Sequence, residues 1–195
     1  MCTDKKAGCA YEETALFIDG TNGPLFSVAE SSAAMAYLAT NYPQCKKRGL
    51  GWQLSVEEVH FLQSQLHQSG GVHFMSAVTK DQYEVLRKRY ARDCLVYTSL
   101  TTKYGYRLRH GSQFGANYIG YRDVGTHGEC LFFTGPLAEL EKVRAVRIAR
   151  SVGKRAMLVL LQEGGDDSPC TVTVSELMAD SCAGLQRSHK SRRKE

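Results

Sequence analysis

Apolar residues recur along this chain in two rhythms, one for each half. In the first half, Ala15–Gly20 (ALFIDG) and Pro24–Ala29 (PLFSVA) are short apolar runs separated by a Thr-Asn-Gly turn. They predict a strand and its hairpin partner. ESSAAMAYLATNY then suits a short helix, and residues 41–51 carry the Pro, Gly and Lys/Arg content of a loop. The clearest helix is SVEEVHFLQSQLHQSG. Ser55 is its candidate N-cap, with Glu58 three positions on as in a capping box. Val59, Leu62 and Leu66 repeat at helical spacing, and Gly70-Gly71 stops the run. GVHFMSAV follows as a strand.

The second half opens on a helical stretch, DQYEVLRKRYARDCLVYTSLTTKYG, in one or two pieces. YRLRHG and ANYIGYR read as strands around a turn at GSQFG, and ECLFFT as a third strand. PLAELEKVRAVRIARSVG is a strong helix, with Pro136 at a tolerated first-turn position and Gly153 at its stop. RAMLVLLQ and CTVTVSEL are two final strands around a turn at EGGDDSP. The order is helix, three strands, helix, two strands. The pattern predicts an α+β protein without internal repeats. A small α/β domain over residues 14–80, structural or assembly-directed, precedes a larger domain over 88–182, with a mixed central sheet flanked by helices. Residues 1–13 form a polar leader, and 183–195 a basic disordered tail.

Composition adds limits. The 195 residues hold no apolar run near the ~20 needed for a membrane span. The leader has no apolar segment of the signal-peptide type, which predicts an intracellular protein. Seven cysteines, an odd number with no C-x-x-C pair, argue against a disulfide framework or a structural zinc site. The net charge of +5 is uneven. Residues 1–80 hold 6 Lys+Arg against 7 Asp+Glu, and residues 81–195 hold 19 against 13. A basic half suggests a polyanionic partner.

Three positions in that basic half carry chemistry. Tyr121 ends the second strand, His127 precedes the third, and Lys154 lies where the strong helix gives way to the next strand. Adjacent strands could bring them to one edge of the sheet. Metal-free RNA cleavage can use these groups. A ribose 2′-OH must lose a proton to attack phosphorus, the leaving 5′-oxygen must gain one, and the phosphorane needs a cation. Imidazole, with a free pKa of about 6.5, suits a general acid. An ammonium group supplies compact positive charge. A phenol, near 10 when free, needs cationic neighbours to act as a base, and otherwise orients the 2′-OH. On spacing alone, a surface Tyr, a solvated His and a Lys complementing a helix dipole explain the same residues.

The stretch GSQFGANYIGY, followed by His127 and by SVGKRAMLVLL, resembles the C-terminal domain of the tRNA-splicing endonucleases. Gly111, Phe114, Gly115, Tyr118, Tyr121, His127, Val152 and Lys154 fall on that family's pattern. The resemblance covers about residues 88–182. It implies a restriction-endonuclease-like catalytic domain, with Tyr121 as base, His127 as acid and Lys154 as transition-state cation. The products implied are a 2′,3′-cyclic phosphate and a 5′-hydroxyl, with no metal or cofactor. Arg147, with Arg144 and Arg150 beside it, matches an arginine that packs against a flipped base of the RNA; one more solvated charge on a helix already holding Lys142, Arg144 and Arg150 explains it equally well. The implied substrate is intron-containing pre-tRNA. The implied partners are a second catalytic subunit and non-catalytic subunits, in a nuclear heterotetramer; cytoplasmic or organelle-surface association is the alternative setting. The complete triad resembles a catalytic subunit, and WQLSVEEVHFL looks most like the one that cuts the 3′ splice site. Asn117 stands where the family usually has Asp, Met178 where some relatives carry an aromatic, and His127 comes only six positions after Tyr121.

Three other readings compete. His127-Gly128-Glu129 mimics the H-x-E of zinc deaminases, but Pro169-Cys170 lacks the second cysteine of P-C-x-x-C. A non-catalytic structural or RNA-binding subunit of the same assembly would keep the fold and lose part of the triad. A general RNA-binding domain would have to explain a basic half with no RNA-binding module of its own.

Overall fold

The computed structural model describes residues 15–42, 45–47, 49, 51–66, 70–123, 126–162, 164 and 170–178. The polar leader, the turn at 163–169 and the basic tail lie outside the described residues, Gly164 excepted. The chain divides into two compact units between Ser99 and Leu100. That division falls inside the helix that runs from Ala91 to Thr102.

The first unit is built on a sheet of five strands. They are β1 (Leu16–Asn22), β2 (Leu25–Val28), β3 (Lys46–Lys47), β4 (Gly51–Ser55) and β5 (Val72–Phe74), in the order β3-β4-β2-β1-β5. In β1 the alternation is plain: Leu16 and Ile18 are buried while Phe17 and Asp19 face outward. The hairpin to β2 is antiparallel, with Ile18 opposite Val28, and β5 adds in parallel beside β1. Helices α1 (Ser32–Asn41), α2 (Val56–Gln65) and α3 (Ala77–Arg89) complete this part.

The capping box of α2 forms as the sequence suggested. Ser55 Oγ accepts from the Glu58 amide, and the Glu58 carboxylate accepts from the Ser55 amide at 2.7 Å. Val59, Leu62 and Leu66 are buried along one face. Two expectations shift. The supposed loop over 41–51 contains β3 and runs into β4, where Trp52, Gln53 and Leu54 are all buried. The strand expected over 71–78 stops at Phe74, because Ser76 accepts a hydrogen bond from the Thr79 amide and caps α3 instead.

Helix α4 (Ala91–Thr102) leads into the second unit. Its sheet contains β6 (Arg107–His110), β7 (Tyr118–Tyr121), β8 (Cys130–Thr134), β9 (Arg155–Gln162) and β10 (Thr171–Glu176), in the order β10-β9-β8-β7-β6. All neighbours are antiparallel except β8 and β9, which run parallel. A parallel pair needs a crossover, and α5 (Glu139–Ser151) supplies it. The buried Ala145, Val146 and Ala149 of α5 pack into one core cluster with Ile119, Leu131, Phe133 and Ala156. Pro136 lies ahead of the helix rather than in its first turn; the cap is made by the Ala138 amide donating to the Glu141 carboxylate. Cys45, Cys94 and Cys130 are buried cysteines outside any disulfide, and Cys170 is an exposed one. No helix among the described residues is long and apolar enough to cross a membrane.

Between α2 and α3, His60 Nδ1 lies 3.3 Å from the Tyr83 hydroxyl, which donates to Gln63 at 2.6 Å. Burial, and then the charge of Arg87, lower the pKa of His60. A histidine held below its unfolded pKa contributes stability above that value and loses it as pH falls through the folded pKa. Melting temperature should therefore fall as pH is lowered from about 7 to 5, in part through His60. His60→Gln should flatten the dependence in calorimetry at stepped pH; an unchanged slope would show that His60 is not its source.

Candidate active site

Register places the three candidate groups at one end of the second sheet. Gly120 of β7 lies opposite Cys130 of β8, and Cys130 lies opposite Arg155 of β9. Because β7 and β8 are antiparallel, β7 ends where β8 begins. Because β8 and β9 are parallel, β9 begins there too. Tyr121 is one residue beyond this row, Lys154 one before it, and His127 three before Cys130. The topology therefore delivers residues far apart in the chain to a common edge.

The local structure is centred on Gly128. The Lys154 ammonium donates to the Gly128 carbonyl at 2.5 Å. A Cβ on Gly128 would stand 3.4 Å from the Tyr121 ring and 2.4 Å from Ile119 Cγ2. The backbone here thus lies so close to β7 that only glycine fits. His127 is the next residue back and is exposed, while Tyr121 and Lys154 are half-buried. The segment is sewn down by the Glu129 amide donating to the Gly120 carbonyl, and by the Arg155 amide donating to the Glu129 carbonyl.

Lys154 owes its place to the end of α5. Gly153 adopts φ +64°, the left-handed conformation that glycine takes without strain. The Gly153 amide donates to Arg150 and the Lys154 amide to Ala149, the paired closure of a glycine-terminated helix. The chain then turns directly into β9. Two further residues give the site its frame. Asn117 Oδ1 accepts from the Thr134 amide at 2.9 Å, so a neutral amide fixes the start of β7 against the end of β8. Gly120 has no room for a side chain, since a Cβ would come within 2.4 Å of the Phe132 ring.

Next to Lys154 lies a cavity of about 330 Å³ lined by Val146, Arg150, Lys154, Arg155, Ala156, Glu176, Leu177 and Met178. Three cations against one carboxylate leave the lining net positive, which suits an anion. Arg155 donates to Glu176 through Nε at 3.0 Å and Nη2 at 2.7 Å, which holds the carboxyl below its ordinary pKa. Of the three arginines singled out in the sequence, Arg150 lines this cavity. Arg144 and Arg147 lie exposed on α5 outside its lining. Arg155 and Glu176 carried no sequence signal beyond their charge. Among the described residues no group of three or more His, Cys, Asp or Glu side chains is placed to hold a metal ion.

Residues 90–174 match the family described as tRNA intron endonuclease, catalytic C-terminal domain. Over that span, less than half of the chain, the sequence is similar to this family's catalytic domain. The matched span runs from the join with α4 through most of β10 and includes all three candidate groups. No curated protein matches the chain. The mixed sheet flanked by helices accords with a tRNA intron endonuclease catalytic domain.

The close approach at Gly128 makes a direct test of the endonuclease domain. Gly128→Ala is expected to destabilise it by about 1–3 kcal/mol through overpacking. Ile119→Ala removes the methyl that the new Cβ would meet. The double variant should therefore lose less in denaturant unfolding than the two single losses combined. Simple additivity would mean that Gly128 and Ile119 are not in contact.

Proposed function

We propose that this chain is a catalytic subunit of a tRNA-splicing endonuclease, cutting intron-containing pre-tRNA at one splice site. Its N-terminal part is most like that of the subunit for the 3′ site. The observation that carries this reading is the convergence of Tyr121, His127 and Lys154 on Gly128 at one end of a sheet belonging to this family.

In the proposed mechanism Tyr121, as general base, takes the proton of the 2′-OH. The 2′-oxygen attacks the adjacent phosphorus, and the P–O5′ bond breaks. His127 gives a proton to the departing 5′-oxygen. The ends are a 2′,3′-cyclic phosphate and a 5′-hydroxyl. Lys154, whose ammonium already lies at the Gly128 carbonyl, counters the charge that grows on the phosphorane oxygens. No metal or cofactor takes part. The fold is of the restriction-endonuclease type, and residues 14–80 serve structure or assembly. Because an intron needs two cuts, the chain works with a second catalytic subunit and with non-catalytic subunits, as a heterotetramer in the nucleus. Among the described residues strand β10 lies at the edge of its sheet, paired with β9 alone, and a partner strand could extend that edge.

The reconstituted assembly should cleave intron-containing pre-tRNA in EDTA and leave the two end groups named above. His127→Ala should slow one of the two cuts by about 10²–10⁴-fold in single-turnover assays while pre-tRNA binding persists. Normal cleavage of both sites by this variant would remove the triad from consideration. An assembly that binds pre-tRNA and is indifferent to all three positions would instead mark the chain as a non-catalytic subunit.

Arginine contacts supply the placement of RNA. Arg150 stands at the cavity beside Lys154, and Arg147 one turn earlier is exposed to stack on an unpaired base. Stacking on a base is worth about 1–3 kcal/mol in alanine tests. Arg150→Ala and Arg147→Ala should each weaken binding or slow the cut by roughly tenfold to a hundredfold. Arg144→Ala, farthest from the cavity in the helix, should do least. Arg147→Lys should rescue poorly, because lysine keeps the charge and loses the plane. Equal effects at all three positions in competition binding would indicate a diffuse electrostatic surface instead.

A further inference from the structure

Directly after Tyr121 comes an arginine whose side chain meets three partners within its own unit. The Arg122 guanidinium carbon lies 3.8 Å from the centroid of the Tyr106 ring. Its Nη1 donates to the Tyr104 carbonyl at 2.6 Å. Its Nε stands 3.9 Å from the Glu129 carboxylate, a loose ion pair. Tyr106 itself is 4 % exposed, packed edge-on against Phe132. The intervening Gly105 adopts φ +68°, and a Cβ there would lie 3.6 Å from Nη1. One planar cation thus joins three places: the turn before β6, the face of a buried ring, and the residue that precedes β8.

Those places bracket the reacting groups. Arg122 follows Tyr121 by one residue, and Glu129 follows His127 by two. Holding Arg122 and Glu129 together fixes both ends of the connection that carries base and acid. In-line displacement needs those two groups on opposite sides of one phosphorus, and a 1 Å misplacement can cost about a hundredfold. A role in gripping RNA phosphate is disfavoured, because the guanidinium already stacks on Tyr106 and donates to Tyr104. We propose that Arg122 is a positioning residue: a latch, stacked on Tyr106 and paired with Glu129, that sets the separation of Tyr121 and His127. This rests on the catalytic reading of those two residues.

The latch predicts a loss of chemistry without a loss of binding. In the reconstituted assembly, Arg122→Ala and Arg122→Lys should each lower the single-turnover rate at saturating pre-tRNA by about 10–100-fold, with affinity changed less than threefold. Lysine should not rescue, since it supplies charge without a face to stack or a fork to donate. Tyr106→Leu should reproduce the loss, and the double variant Arg122→Ala/Tyr106→Leu should be no slower than the slower single. Melting temperatures of each variant identify any loss due to unfolding; the Arg122 side chain is 46 % exposed, so its variants should fold even where Tyr106→Leu does not. Independently of cleavage, amide exchange of residues 126–129 in the full chain should quicken at least tenfold in Arg122→Ala. Unchanged exchange, or a fully active Arg122→Lys beside a weakly binding Arg122→Ala, would overturn the latch. A wild-type assembly that does not cut would overturn the catalytic reading and with it the reaction this latch serves, while amide exchange would still report whether Arg122 anchors the segment.

Discussion

The pairing of β8 with β7 on one side and β9 on the other governs the whole C-terminal unit. A strand between an antiparallel and a parallel neighbour shares one end with the finish of the first and the start of the second. Gly120, Cys130 and Arg155 form that shared row. Every group with a proposed chemical role lies within a few residues of it. The parallel half requires a crossover, so α5 must exist, and its arginines and terminal glycine are brought to the site by the same requirement. Neither the cavity beside Lys154 nor the approach of Lys154 to Gly128 could arise in an all-antiparallel sheet with the same sequence order.

Around that row, space rather than charge is the tightest constraint. Gly120 lies against the Phe132 ring and Gly128 against Ile119. These contacts let the backbone of residues 127–129 run close alongside β7, where its carbonyl can receive the Lys154 ammonium. Charge is arranged more loosely: Arg155 and Glu176 pair at the surface, where ion pairs contribute little to stability. That pairing still matters locally, because it leaves the cavity with two cations whose positive charge is not matched by a carboxylate within its lining, Arg150 and Lys154.

Much of this was legible in the residues. The order of helices and strands in the second half followed from periodicity, and the α2 capping box from Ser55 and Glu58 alone. Tyr121, His127 and Lys154 could be singled out by type and by their places at element ends. What escaped was whatever depended on contacts across the chain. Strand β4 has no alternation, because neighbours bury Trp52, Gln53 and Leu54 alike, and its last residue doubles as a helix cap. Ser76 looked like part of a strand until its hydrogen bond with Thr79 made it a cap. Gly120 owes its place to a contact across the sheet, since the Phe132 ring leaves no room for a side chain. Asn117 read as a lost charge, yet its amide oxygen fills the backbone-tying place between β7 and β8. Arg122 gave no signal at all, since its partners Tyr104, Tyr106 and Glu129 meet it only through the pairing of β7 with β6 on one side and β8 on the other.

The glycine-terminated end of α5 has a consequence for how chains of this kind can change in length. Lys154 is held by its own backbone bond to Ala149 and by that of Gly153 to Arg150, so its direction is inherited from the helix. Adding or deleting one residue within α5 would turn everything beyond it by about 100° about the helix axis. Either the alanines that face the sheet or the lysine that faces Gly128 would then be displaced. Length variation between β8 and Lys154 is therefore confined to the stretch before the helix begins, or to insertions that come close to whole turns. The connection from β9 to β10 carries no such phase, and insertions there leave the orientation of Lys154 untouched.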